Sequence, residues 1–262
     1  CDGWVPVRAL AEKGAGDGPP HVPFIEADAT LAAKLALQAT WASDAGMALF
    51  VAPGTVAAPG DARAESIVQT QVVLVDLDHG DIGSERDHLV QHLGSPTLEV
   101  ASGGVTAEGQ RKLHLYWRLT EPAEGEDIAT VCRARHMIAA KVGGDPSFRS
   151  AHQPIRVAGS IHAKQGLRRL VQILNHDPRD HDLGELLEAI IAMPPLEGEN
   201  GLDFNMAATE RGSVTELFGR QVREGGVDGT TRFDALSRVI GYWIRRAREG
   251  HVPREQAWEE IV

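Results

Sequence analysis

Residues 71–81 read QVVLVDLDHGD. An apolar, β-branched run from Val72 to Val75 leads into Asp76-Leu77-Asp78, and its length and composition predict a buried strand rather than a helix. If the strand continues through Asp78, alternation puts both carboxylates on one face and Leu77 on the other. Isolated charges at the end of an apolar strand are costly to hold. Bound cations relieve that cost, and hard oxygen ligands suit Mg²⁺ or Mn²⁺. A strand end turning into solvent, with residues 78–81 as a polar turn, is the other reading of the same residues.

Working outward, strand and helix patterns alternate. Helices are expected from Asp28 or Thr30 to about Ala45, over Ser84–Leu93, Gly125–Val142 and Leu183–Met193. Strands are expected over Met47–Val51, Thr97–Ala101 (ending in Ser102-Gly103-Gly104) and Leu167–Leu174. Leu113–Leu119 alternates most clearly: Leu113, Leu115, Trp117 and Leu119 share one face, and His114, Tyr116 and Arg118 the other. This order implies an α/β (α+β) fold with a mixed sheet over residues 1–196. A linker over 197–212 and an all-helical module over 213–262 follow.

The 262 residues suffice for one large domain plus a small appendage, and 42% hydrophobic content allows a sizeable core. No window is apolar for long enough to cross a membrane, and Cys1–Pro23 has no signal-peptide core. The expected location is therefore cytoplasmic, and the chain reads as a fragment of a longer protein. Cys1 and Cys132 are the only cysteines, which excludes a cysteine-rich zinc site within these residues. The net charge of −11 argues against a protein basic all over. Yet Pro146–His176 holds no Asp or Glu while carrying Arg149, Arg156, Lys164, Arg168 and Arg169, the makings of an anion site.

Three further features carry chemistry. His114 can donate to a phosphate oxygen at little charge cost near neutral pH. Asp145, after Gly143-Gly144, is either an ordinary turn residue or a third carboxylate for a site of two divalent ions. Arg156-Val157-Ala158-Gly159-Ser160-Ile161-His162-Ala163-Lys164 puts a guanidinium, a glycine, a hydroxyl and an ammonium within nine residues, enough to cradle a triphosphate. There is no GxxxxGK[ST] and no strand-borne GxGxxG, which disfavours P-loop ATPases and dinucleotide enzymes.

Taken in order, strand with DxD, Ser-Gly-Gly, strand with His, Gly-Asp, then R-x-x-G-S-x-x-x-K, the pattern over roughly residues 70–175 resembles the catalytic core of archaeo-eukaryotic-type primase-polymerases. It is nearest to plasmid RepB-prime-type and phage or mobile-element members. Gly229–Ile261 resembles the small helical module that follows such cores. The resemblance implies a primase making primers on single-stranded DNA from NTPs or dNTPs, for a plasmid, phage or mobile element, with a helicase in cis or in trans. It implies that Asp76, Asp78 and Asp145 hold two Mg²⁺ or Mn²⁺ ions and carry catalysis. His114, Arg156, Gly159, Ser160 and Lys164 would bind the nucleotide, with Ser102, Gly103 and Lys112 near it. Arg149, Arg168, Arg169, Arg238 and Arg245 would meet nucleic acid. Lys112 stands where many members have Ser, and Ala158 and His162 where Pro and Asn are common. The rival expectations are a replication-initiator nucleic-acid-binding module without activity, or a metal-dependent nuclease.

Overall fold

A computed structural model describes residues 1–11, 20–164, 167–196, 240, 243, 247 and 252–259. The chain divides into two compact units, Cys1–Gly201 and Leu202–Val262. In the second, Ile240, Trp243 and Ala247 are helical and half-buried, and Arg254–Glu259 forms helix α5. The predicted linker, Arg238 and Arg245 lie outside the described residues.

The first unit is built on strands β1 (Trp4–Ala11), β2 (Phe24–Glu26), β3 (Met47–Val51), β4 (Thr55–Val56), β5 (Ile67–Leu77), β6 (Leu98–Val105), β7 (Arg111–Glu124), β8 (Ile155–Arg156) and β11 (Gln172–His176). They form one nine-stranded sheet in the order β11-β6-β7-β5-β4-β1-β3-β8, with β2 paired to β1. β9 (Ile161–Lys164) and β10 (Leu167–Leu170) make a separate hairpin. The helices are α1 (Leu31–Asp44), α2 (Ile82–Leu93), α3 (Glu126–Val142) and α4 (Leu183–Ala192).

The α+β class is as expected, but the ladders between described strands are antiparallel rather than mixed. β5 and β6 run parallel to each other, but α2 crosses over between them and β7 inserts in the gap, pairing antiparallel with both. The expected strand over 167–174 is two strands in different sheets. Val171 between them donates to Ser160 O and accepts from Gly159 N. Ser102-Gly103-Gly104 does not end β6 but lies within it, at an irregularity in pairing between Ala101 and Val105. α2 starts two residues before Ser84 because Asp81 is the cap, accepting from the Ser84 amide at 3.3 Å. β1, β2 and β4 carry no clear alternation and are found only through their pairing.

The predicted faces of β7 hold. Leu113, Leu115, Trp117 and Leu119 join Val73, Val75 and Leu77 of β5 in the main core, against α2, α3 and α4. A second core joins β1, β3 and α1, in which Ala39 is buried. Trp41 of α1 is 42% exposed and sits against His21. Trp117 is fully buried, and its indole N–H donates to Gly94 O at 3.2 Å. Trp117→Ala should destabilise the fold by about 3–5 kcal/mol. Urea unfolding checks this, and a loss below about 1 kcal/mol would contradict the packing described.

Candidate active site

The register of β5 on β7 places Asp76 directly opposite His114, and Leu74 opposite Tyr116. Because side chains alternate, these four share the face turned away from α2, α3 and α4. On that face Leu74 packs with Phe148, Ile155 and Tyr116. His114 also has Val100 of β6 opposite it, so it sits mid-sheet and is almost fully buried. Its Nε2 lies 3.6 Å from Asp76 Oδ1, and its Nδ1 lies 3.3 Å from the Tyr116 hydroxyl. β5 ends at Leu77, so Asp78 is the first residue beyond the strand and is more exposed than Asp76.

The third carboxylate arrives from α3. That helix stops at Val142 with Gly143 left-handed (φ 81°). The Asp145 amide then donates to the Asp76 carbonyl at 3.0 Å. Gly144 makes this approach possible: a Cβ there would stand 2.7 Å from Val75 Cγ2 and 3.1 Å from Asp76 O. Asp145 also caps the short 3₁₀ turn Pro146–Arg149, accepting from Ser147 N at 2.8 Å and Ser147 Oγ at 2.7 Å.

Charge crowding shapes this end of the sheet. Burial, then the charges of Asp78 and Asp145, push the Asp76 carboxyl up to about 7, against a smaller pull from Lys112 and Arg156. Burial, then the Arg156 guanidinium, lower His114 to about 3, so its ring is neutral at physiological pH. The phenol of Tyr116 is pushed upward by burial and by Asp76. Among the described residues no three of His, Cys, Asp and Glu close on one point as a ready metal cage. Like charges repel, and Asp78 turns to His79 and to Lys112 (Nζ at 3.7 Å) while Asp145 turns to Ser147. The donors nevertheless suit Mg²⁺ or Mn²⁺: hard carboxylate oxygens around an acid whose pKa burial, and then two like charges, push up to about 7.

The basic segment is divided. Arg156 of β8 lies opposite Phe50 of β3, with its guanidinium 4.6 Å from the ring centroid, and its charge reaches both Asp76 and His114. Lys112 crosses over Gly104, where a Cβ would be 2.8 Å from its Cδ, and so extends towards Asp78. Gly103 (φ +85°) lets the β9 hairpin close down: a Cβ there would be 2.5 Å from His162 Cβ. Two expected nucleotide contacts have other partners. Ser160 is buried and donates to Val157 O at 2.6 Å, and the Gly159 amide donates to Val171 O. Ser102 is buried within β6. Arg168 is tied to the end of α1 through Ser43 O at 2.9 Å, Arg149 is exposed, and Arg169 pairs across the hairpin with His162. The Lys164 side chain is outside the described part of the chain.

Beside Tyr116 and Arg156 opens a cleft of about 870 Å³, with Val72 and Leu98 on one side and Val51 and Ile155 on the other. The sequence reading missed it because β1, β4 and β8, which help wall it, were not recognised as strands. The only signal for Tyr116 was its place two residues after His114.

These features define a class by fold: the first unit has the architecture of primase-polymerase catalytic domains of the archaeo-eukaryotic type. The primase-polymerase domain of cyanophage S-2L superposes with a TM-score of 0.56 at 18% identity, over 71% of this chain and 89% of that one. The primase RepB′ superposes at 0.51 and 14% identity, over 95% of this chain and 72% of that one. The catalytic domain of RepB′ in complex with initiator DNA does so at 0.50 and 14% identity, over 81% and 92%. No protein-family model matches the sequence, and no curated protein matches it. Among the described residues no helix is long and apolar enough to cross a membrane.

Two outcomes follow from this geometry. The folded Asp76 carboxyl binds its proton more tightly than the unfolded one, so in metal-free protein stability falls as pH rises from 3.8 to about 7. Asp76→Asn should flatten that slope and raise the melting temperature at high pH by on the order of 5 °C, read by calorimetry across pH. An unchanged slope would refute the charge crowding. Gly144→Ala should destabilise by about 1–3 kcal/mol through displacement of Asp145, measured by urea unfolding, and an unchanged stability would refute the close approach.

Proposed function

We propose that the chain is a primase-polymerase, a nucleotidyltransferase that makes primers on a single-stranded DNA template for a plasmid, phage or mobile element. One observation carries the reading. In a fold shared with primases, Asp78 and Asp145 lie close enough to Asp76 for their charges to raise its carboxyl, and Arg156, which lines the neighbouring cleft with Tyr116, pulls on the same group.

In this reading the three carboxylates hold the divalent ions. Such ions lower the pKa of an attacking 3′-hydroxyl and neutralise the leaving pyrophosphate. The chain's own residues bind and orient the nucleotide. His114, neutral and fixed mid-sheet, offers a hydrogen bond to a phosphate oxygen without adding a charge beside Arg156. Arg156 supplies the planar donor fork, held by Phe50. Lys112 adds a mobile cation at the exposed mouth. Arg149 and Arg169 would meet template backbone, a contact that weakens with salt. The complex of a related fold with initiator DNA supports that partner.

The test uses single-stranded template, Mn²⁺ or Mg²⁺, and ribo- or deoxynucleotides without primer, with products sized on a gel. Asp76→Ala and Asp78→Ala should each lower primer synthesis by on the order of a thousandfold. Undiminished synthesis in either variant would sink the assignment. Shortening of the template to mononucleotides would instead favour a nuclease.

A further inference from the structure

One half-buried side chain lining the cleft has no task in binding metal or nucleotide. Tyr116 follows His114 by two positions on β7, so both rings stand on the same side of the sheet. The Tyr116 oxygen lies 3.3 Å from His114 Nδ1, and the rings meet edge-on at 80°. Leu74, Phe148 and Ile155 pack the phenol in place.

A single proton lies in a hydrogen bond between a phenol and a neutral imidazole: either Tyr116 donates to Nδ1 or an Nδ1–H donates to the phenol. The opposite nitrogen decides which. Nε2 faces Asp76 Oδ1 at 3.6 Å. Once Asp76 is ionised, protonation of Nδ1 would leave Nε2 turning its lone pair towards a carboxylate oxygen that has lone pairs of its own. With Nε2 protonated, the ring turns an N–H dipole to the carboxylate, and Nδ1 becomes the acceptor that the phenol proton needs.

We propose that Tyr116 is a positioning residue whose hydroxyl donates to His114 Nδ1 and fixes the imidazole as its Nε2–H tautomer, aimed at the ionised Asp76 carboxylate. The ligand for that single N–H is a phosphate oxygen of a triphosphate, a step that rests on the primase-polymerase reading. The tautomer itself does not. Phe at this position would keep the packing and remove only the donor, and Nδ1 would then no longer be held bare.

The experiment is long-range ¹H–¹⁵N NMR of the histidine rings in the whole chain at about pH 9, above the range in which Asp76 protonates. His114→Asn assigns the signals. The wild type should show a protonated Nε2 and a bare Nδ1, and Tyr116→Phe should give a mixture of tautomers. A protonated Nδ1 in the wild type, or an unchanged pattern in Tyr116→Phe, overturns the proposal. Calorimetry with inorganic triphosphate supplies the second arm. Tyr116→Phe should weaken binding about fivefold in the wild-type background and not at all in His114→Asn. Equal weakening in both backgrounds would mean that the hydroxyl acts elsewhere and would also overturn it. A wild type that shows the tautomer, and loses it in Tyr116→Phe, yet binds no triphosphate would reject the primase-polymerase reading and uphold the tautomer assignment.

Discussion

The site depends on one backbone hydrogen bond, from the Asp145 amide to the Asp76 carbonyl. It ties the loop after α3 to the last turn of the strand pair that carries the chemistry. Asp145, distant in sequence, comes near Asp76 and Asp78 because that bond closes, and it closes because residue 144 has no side chain. The resulting repulsion is the site's defining property. Folding concentrates negative charge where solvent is scarce, and the main core on the opposite face of the same strands stabilises that arrangement.

What the sequence revealed and what it hid divide along a physical line. β5 and β7 were legible because one face is continuously apolar and the run is long, so alternation shows through. Leu77 and Trp117 are buried where the pattern put them. Asp145 was legible only as a choice between a turn and a ligand, since two glycines before an Asp-Pro describe both. In the other half of the sheet β3 was legible, but β1, β4 and β8 were not, because they are short or irregular and β1 carries a proline. Such strands are stabilised by their neighbours, which a linear pattern does not display.

The site residues show the same division. The charged set, Asp76, Asp78, Arg156 and Lys112, comes together around His114. The small polar residues do not behave as spacing implied. Ser160 and Gly159 hold the turn between β8 and β9 through Val157 and Val171. A hydroxyl can bond to its own backbone as readily as to a ligand, and sequence alone does not separate the two. Arg135 was missed altogether. It is a guanidinium wholly buried on α3 that donates to Val72 O at 2.8 Å and to Thr70 Oγ1 at 2.9 Å. Nothing in its helical neighbours marks it as different from a surface arginine.

The alternation along β5 also bears on how such a chain can change over time. Val73, Val75 and Leu77 serve the core, while Leu74 and Asp76 serve the opposite face with Tyr116 and His114, on one strand and in strict turn. Deleting one residue from this strand would exchange the two sets, exposing the core and burying the acid at a stroke. Substitutions can adjust either face separately, but length cannot vary without damaging both. Descendants of this chain are therefore free to diverge widely in composition while the spacing along β5 stays rigid, so likeness in shape can outlast likeness in letters.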